Sequence, residues 1–240
     1  MTLLDVRGLF AGYKGLTVVR GVDLHVEPGE IVALLGANGA GKSTILLTLS
    51  GLAEQQSGTI VLDGVDLAGR PAAARSRLGL GHVAEDRALF HKLTVHENLR
   101  LGGHGDLGNL DALLELLPAL RPLLRRQTGS LSGGEQQMLA LARALIADPT
   151  VLLIDELSLG LAPIIAQRLL GNIRQLADRG LGVLMVEQHV DHVLRVADRV
   201  VVLARGRITF AGPADELRHN RELLTAAYLG TSDDLRTSTQ

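Results

Sequence analysis

The run Gly36-Ala37-Asn38-Gly39-Ala40-Gly41-Lys42-Ser43-Thr44 constrains this chain more than any other stretch. It fits G-x-x-x-x-G-K-[ST]. It follows the apolar run Ile31 to Leu35 and precedes a helical pattern from Ile45 to Leu49. Glycines let a backbone wrap tightly enough to aim several N–H groups at one phosphate chain, and a helix N-terminus adds a favourable dipole. Lys42 supplies a mobile positive charge for the terminal phosphates, and the Ser43 hydroxyl suits a bound Mg²⁺. A strand feeding such a turn and helix belongs to an α/β fold with a parallel sheet.

The rest of the chain agrees with that class. Val151 to Ile154 and Val183 to Val186 are, like Ile31 to Leu35, short apolar runs without alternation, the pattern of strands buried on both faces of a parallel sheet. Met138, Leu139, Leu141, Ala142, Leu145 and Ile146 form a helical stripe that ends before Asp148-Pro149. Pro163 opens another helix, with Ile165, Leu169, Ile173 and Leu176 on one face and Gly180 as terminator. The opening differs: Leu3 to Leu9, Thr17 to Arg20 and Val22 to Val26 read as antiparallel β, turning at Pro28-Gly29. From about Ala88 to Gly129 the pattern is mostly helical. Thr94-Val95-His96-Glu97 fits a capping box, and Asp111 to Leu117 reads as a short helix.

Two further motifs carry chemistry. The strand Val151 to Ile154 delivers Asp155 and Glu156 at its C-terminal edge, where ligands bind in open α/β sheets. Asp155 is placed to hold Mg²⁺ through water, and Glu156 to orient or deprotonate an attacking water, because phosphoryl transfer relies on positioning and charge stabilisation. Leu131-Ser132-Gly133-Gly134-Glu135-Gln136-Gln137 then puts a hydroxyl and two glycine N–H groups at a second helix N-terminus, about twenty residues upstream of the carboxylates. One subunit has no evident use for two anion sites on one nucleotide. Two subunits arranged head to tail do, each phosphate loop facing the other's Ser132, Gly133 and Gly134.

With these motifs in order, residues from about 3 to 230 resemble the ABC ATPase family. The resemblance implies an ATP-binding and ATP-hydrolysing subunit with Mg²⁺ as cofactor, built as a phosphate-loop core, an antiparallel β subdomain and a helical subdomain at about 88–145. Residues 1–230 would form the nucleotide-binding domain and 231–240 a polar tail that frays. By resemblance, Tyr13 falls where the family stacks an aromatic on adenine. Glu85, in Ala84-Glu85-Asp86, falls at the Q-loop position near the metal, as a carboxylate in place of Gln.

Finer features are similar to the smaller ATPase subunit of branched-chain amino-acid importers: Ser132 to Ala140, Ser158-Leu159-Gly160-Leu161-Ala162-Pro163, Val186-Glu187-Gln188 and Ala227-Tyr228-Leu229-Gly230. Ala162 stands where most ABC proteins carry an Asp. Urea and short-amide importers share much of this pattern. The resemblance implies a homodimer, or a heterodimer with a related ATPase, docked on two transmembrane permease subunits at the cytoplasmic face of the membrane. The surface near Leu89, Phe90 and Leu93 is the expected permease contact.

Two positions depart from the family. Leu157 follows Glu156 where most members have Pro, and the switch-histidine position falls on Gln188, with His189 next. Both leave a low-turnover module as an alternative. A soluble non-transport ABC ATPase is the other, although such proteins usually carry two cassettes or a coiled-coil insertion. A net charge of -2 gives no nucleic-acid footprint, and the absence of Cys excludes disulfides and thiolate metal sites. The start, Met1 to Arg7, has no signal-peptide pattern, and no apolar run approaches the roughly 20 residues needed to span a bilayer. The eight histidines are spaced too irregularly for a ligand set.

Overall fold

The computed structural model describes residues 2–187 and 190–230, so the Gln188 assignment and the 231–240 tail lie outside the described residues. Strands β1 (Leu4–Tyr13) and β2 (Leu16–Val26) pair antiparallel, with Tyr13 opposite Leu16. The two-residue turn between them, Lys14-Gly15, has positive φ at both positions, which matches the twist of the flanking strands. The sequence pattern broke the second strand at Gly21. The strand instead continues, because Gly21 (φ 63) is an extra residue between the pairs Phe10–Arg20 and Leu9–Val22. A left-handed glycine at such a bulge kinks the strand without ending it. Strands β4 (Glu54–Leu62) and β5 (Val65–Asp66) complete this antiparallel sheet in the order β2-β1-β4-β5.

The second sheet runs β10-β9-β3-β8-β7-β6. Its members are β3 (Ile31–Leu35), β6 (Leu80–Val83), β7 (Val151–Asp155), β8 (Gly182–Val186), β9 (Arg199–Ala204) and β10 (Arg207–Pro213). All neighbouring pairs are parallel except the β9–β10 edge. Side chains alternate between faces along a strand, and β3 divides two cores on that basis. Ile31, Ala33 and Leu35 join the core built with helices α5 (Gly133–Leu145) and α6 (Pro163–Ala177). Val32 and Leu34 join the core shared with α1 (Lys42–Leu49) and the antiparallel sheet.

The remaining α-helices among the described residues are α2 (Ala72–Arg77), α3 (Val95–Gly102), α4 (Leu110–Leu116), α7 (Val190–Val193), α8 (Ala214–Arg218) and α9 (Arg221–Leu229). Helix α3 starts at the expected capping box: Glu97 N–H donates to Thr94 Oγ1 at 3.2 Å and Thr94 N–H to Glu97 Oε2 at 2.7 Å. The fully buried Asn98 then ties Phe90 to this helix. It accepts from Phe90 N–H at 3.0 Å and donates to Thr128 Oγ1 at 2.9 Å. Helix α1 begins at Lys42, three residues before the apolar pattern at Ile45, because Lys42, Ser43 and Thr44 are polar and carry no apolar periodicity.

Candidate phosphate and carboxylate site

Strand β3 ends at Leu35 and the chain enters the glycine loop, where Gly36, Gly39 and Gly41 all have positive φ. At Gly36 a Cβ would lie 2.2 Å from the Leu203 carbonyl oxygen on the neighbouring strand β9. Neither backbone can move cheaply there. Gly36→Ala is therefore expected to destabilise the fold by about 1–3 kcal/mol, lowering Tm by roughly 2–4 °C per kcal/mol. A thermal melt showing no change would mean that the loop relaxes around a side chain.

The loop delivers Lys42, Ser43 and Thr44 to the first turn of α1, which has no side-chain cap at Gly41. Its N–H groups are left to face the loop, the arrangement that favours an anion. Lys42 is buried, and its ammonium donates to Gly36 O at 2.8 Å and Ala37 O at 3.0 Å. Burial lowers its pKa, and the carboxylates of Glu156 and Asp155 oppose that shift.

A pocket of about 300 Å³ opens over this loop, lined by Val18, Asn38, Gly39, Gly41, Lys42, Ser43, Thr44, Glu85 and Glu156. Gly36, Ala37 and Ala40 belong to the same loop but are not part of its lining. Asp155 sits behind it at the end of β7, 4% exposed. Burial raises the Asp155 carboxyl above its usual range, the Ser43 hydroxyl pulls it back, and the charges of Glu156 and Glu85 raise it further. Its Oδ1 is buried with no hydrogen-bond partner. An orphaned carboxylate oxygen beside a serine hydroxyl suits a hard divalent cation. Among the described residues, no group of three or more His, Asp or Glu could hold a metal alone. Such an ion would need further ligands from water or from a bound oxyanion. Glu156 follows in the left-handed region (φ 52), which turns its side chain from the strand toward the pocket mouth.

Ser132, Gly133 and Gly134 are not in this pocket. Ser132 is the N-cap of α5, where it forms a capping box with Glu135. Ser132 N–H and Oγ donate to Glu135 Oε2 at 2.7 and 2.8 Å, and these bonds hold the Glu135 carboxyl below its usual range. Tyr13 lies at the end of β1, 44% exposed and outside the pocket lining.

The sequence reading missed several supporting residues. Val18 lines the pocket from β2. The Tyr228 hydroxyl meets the Gly36 backbone from α9, while burial raises the phenol's pKa. Arg87 donates to Gln137 Oε1 at 2.7 Å and Gln136 Oε1 at 3.0 Å, tying the segment after Glu85 to α5. Only the Ser132-x-x-Glu135 spacing could have been read in advance, as a second capping box. On the surface expected to meet a permease, Phe90 is exposed, Leu89 packs against the core and Leu93 is half-buried.

Residues 19–158 match the family described as ABC transporter. The chain is 44% identical over 223 residues to the high-affinity branched-chain amino acid transport ATP-binding protein BraG of Pseudomonas aeruginosa, covering 91% of this chain and 95% of that protein. It is 38% identical over 215 residues to the probable branched-chain amino acid transport ATP-binding protein LivF of Archaeoglobus fulgidus, covering 87% and 91%. A solved ATP-binding subunit of an ABC transporter superposes with a TM-score of 0.81 at 31% identity, over 98% of this chain and 99% of that one.

Proposed function

The chain belongs to the ABC transporter ATPase family, and from that premise we propose that it hydrolyses Mg-ATP to power import of branched-chain amino acids or a related small solute such as urea or an amide. The observation that carries the proposal is the pocket in which Lys42, Ser43, Glu85 and Glu156 meet over the glycine loop, with the Asp155 oxygen free behind them.

The backbone N–H groups of Gly36 to Thr44 cradle the phosphates. Lys42 moves its ammonium from the two loop carbonyls to the β- and γ-phosphates. Ser43 and Asp155 would hold a Mg²⁺ ion, with Glu85 close enough to add charge to the set. When bound, the ion neutralises charge on the phosphate oxygens. Glu156 orients a water in line with the γ-phosphate and accepts its proton. Tyr13 stacks on the adenine from the exposed end of β1. Gln188 serves as the γ-phosphate sensor. Ser132, Gly133 and Gly134 stand at the N-terminus of α5, away from the pocket, and serve the nucleotide of a second copy or a related ATPase subunit in a head-to-tail dimer.

No helix among the described residues is long and apolar enough to cross a membrane. Transport therefore needs permease subunits. A groove of about 460 Å³ lies between α2 and β6 on one side and α3 and α5 on the other. The exposed Leu52, Phe90 and Leu101 line it with Arg75, His82 and Arg143. We assign this groove to a permease loop. It abuts the segment that begins at Glu85, so docking there can be felt at the phosphate site.

Reconstitution with two permeases and a cognate binding protein tests the reading. ATP turnover is expected to rise several-fold with leucine, isoleucine or valine. Stimulation by urea or a short amide alone would reassign the solute, and no stimulation by either class would remove the importer assignment.

A further inference from the structure

Glu187 is a buried carboxylate, 3% exposed, at the end of β8 and outside the nucleotide pocket. Burying a carboxylate is costly unless its oxygens receive hydrogen bonds. Here Oε1 accepts from Ser158 N–H at 3.0 Å and Oε2 from Ser158 Oγ at 2.6 Å. Ser158 is itself buried and stands two residues after Glu156. On the other side, Glu156 N–H donates to Val186 O at 3.0 Å. The turn carrying Glu156 is thus tied to Val186, the last residue of β8, through the left-handed residue's own N–H, and to the next residue, Glu187, through Ser158.

We propose that Glu187 is a positioning residue for ATP hydrolysis, its carboxylate gripping Ser158 so that the strained Glu156 turn keeps its side chain at the pocket. The proposal rests on the reading of Glu156 as the group that handles the attacking water. The contact is needed because a non-glycine residue resists positive φ unless its surroundings hold it there. Leu157, 1% exposed, anchors one point of the turn by packing. Packing alone does not set the direction of the Glu156 side chain, whereas two hydrogen bonds to the same downstream residue fix the backbone's course.

Glu187→Met keeps the approximate volume and removes both acceptors. It is expected to lower kcat by about ten- to a hundred-fold, the effect of a displaced catalytic group. ATP affinity should stay within about two-fold, since the phosphate loop is intact. Glu187→Gln should recover most of the loss, because its oxygen can accept from Ser158 N–H and its amide can donate to Ser158 Oγ. Ser158→Ala should fall between the two, and it tests the clamp even if Glu187→Met folds poorly. In a Glu156→Gln background, Glu187→Met should change the residual rate by less than about two-fold, because residues acting as a unit are not additive.

The clamp is overturned if Glu156→Gln is inactive while Glu187→Met and Ser158→Ala both turn over at the wild-type rate. It is equally overturned if Glu187→Met causes its full loss in the Glu156→Gln background. A parallel fall in Tm and ATP affinity, with Ser158→Ala silent, would assign Glu187 to general stability and also overturn it. Wild-type turnover in Glu156→Gln would remove the assignment of Glu156 and this proposal with it.

Discussion

Lys42→Ala is expected to lose both tight ATP binding and turnover, leaving less than about a tenth of wild-type activity. Two charge-assisted hydrogen bonds, each worth about 1.5–3 kcal/mol, would be missing at the phosphates. The lysine is also the cation that faces Glu156 and Asp155. Without it, two carboxylates would confront a polyanion across a largely buried floor, and like charges at short range disfavour binding. The fold should survive, because the hydrogen bonds of the Lys42 ammonium go to the Gly36 and Ala37 carbonyls of the glycine loop and not to the core. Binding of a fluorescent ATP analogue, steady-state phosphate release and a thermal melt check these points together. A variant with an unchanged melt and more than about a tenth of the activity would argue against the role given to the loop.

What could be read in advance, and what could not, divides by the range of the contacts. The runs at Ile31, Val151 and Val183 were legible because strands buried on both faces have no polar side to show. All three are fully buried in the parallel sheet. The phosphate loop was legible because its chemistry needs glycines and a lysine at fixed spacing. The gap at Gly21 was noticed but mistaken for a strand end, since only pairing with β1 distinguishes a bulge from a break. The start of α1 was set too late because Lys42, Ser43 and Thr44 carry no apolar periodicity. Glu187 was noted as part of a motif and given no role, and nothing near it in sequence points to Ser158, which lies twenty-nine residues earlier. The contact between Tyr228 and Gly36 spans most of the chain and has no local signature either.

Glu156→Gln is expected to cut turnover to a small residual rate and trap a dimer closed around two ATP molecules. The amide keeps the shape of the side chain but cannot take a proton from water. Hydrolysis then becomes very slow while the contacts from Lys42 and Ser43 remain, and the dimer loses its ordinary route to opening. Size-exclusion chromatography with ATP and Mg²⁺ should show a species of twice the monomer mass that disappears without nucleotide. A second substitution tests which surface closes it. Ser132→Arg puts a bulky cation where the partner's γ-phosphate is to sit, so the double variant should elute as a monomer. That change also removes a helix cap, because Ser132 Oγ accepts from Glu135 N–H and donates to the Glu135 carboxylate. Loss of such a cap costs about 0.5–2 kcal/mol by itself. Ser132→Ala in the same Glu156→Gln background is the control, since it loses the cap without filling the space. If it still dimerises while the arginine variant does not, the residues Ser132 to Gly134 meet the partner's nucleotide. A Glu156→Gln protein that stays monomeric even when joined to its permeases would remove the shared-site arrangement, and each pocket would then have to work with the residues of its own subunit.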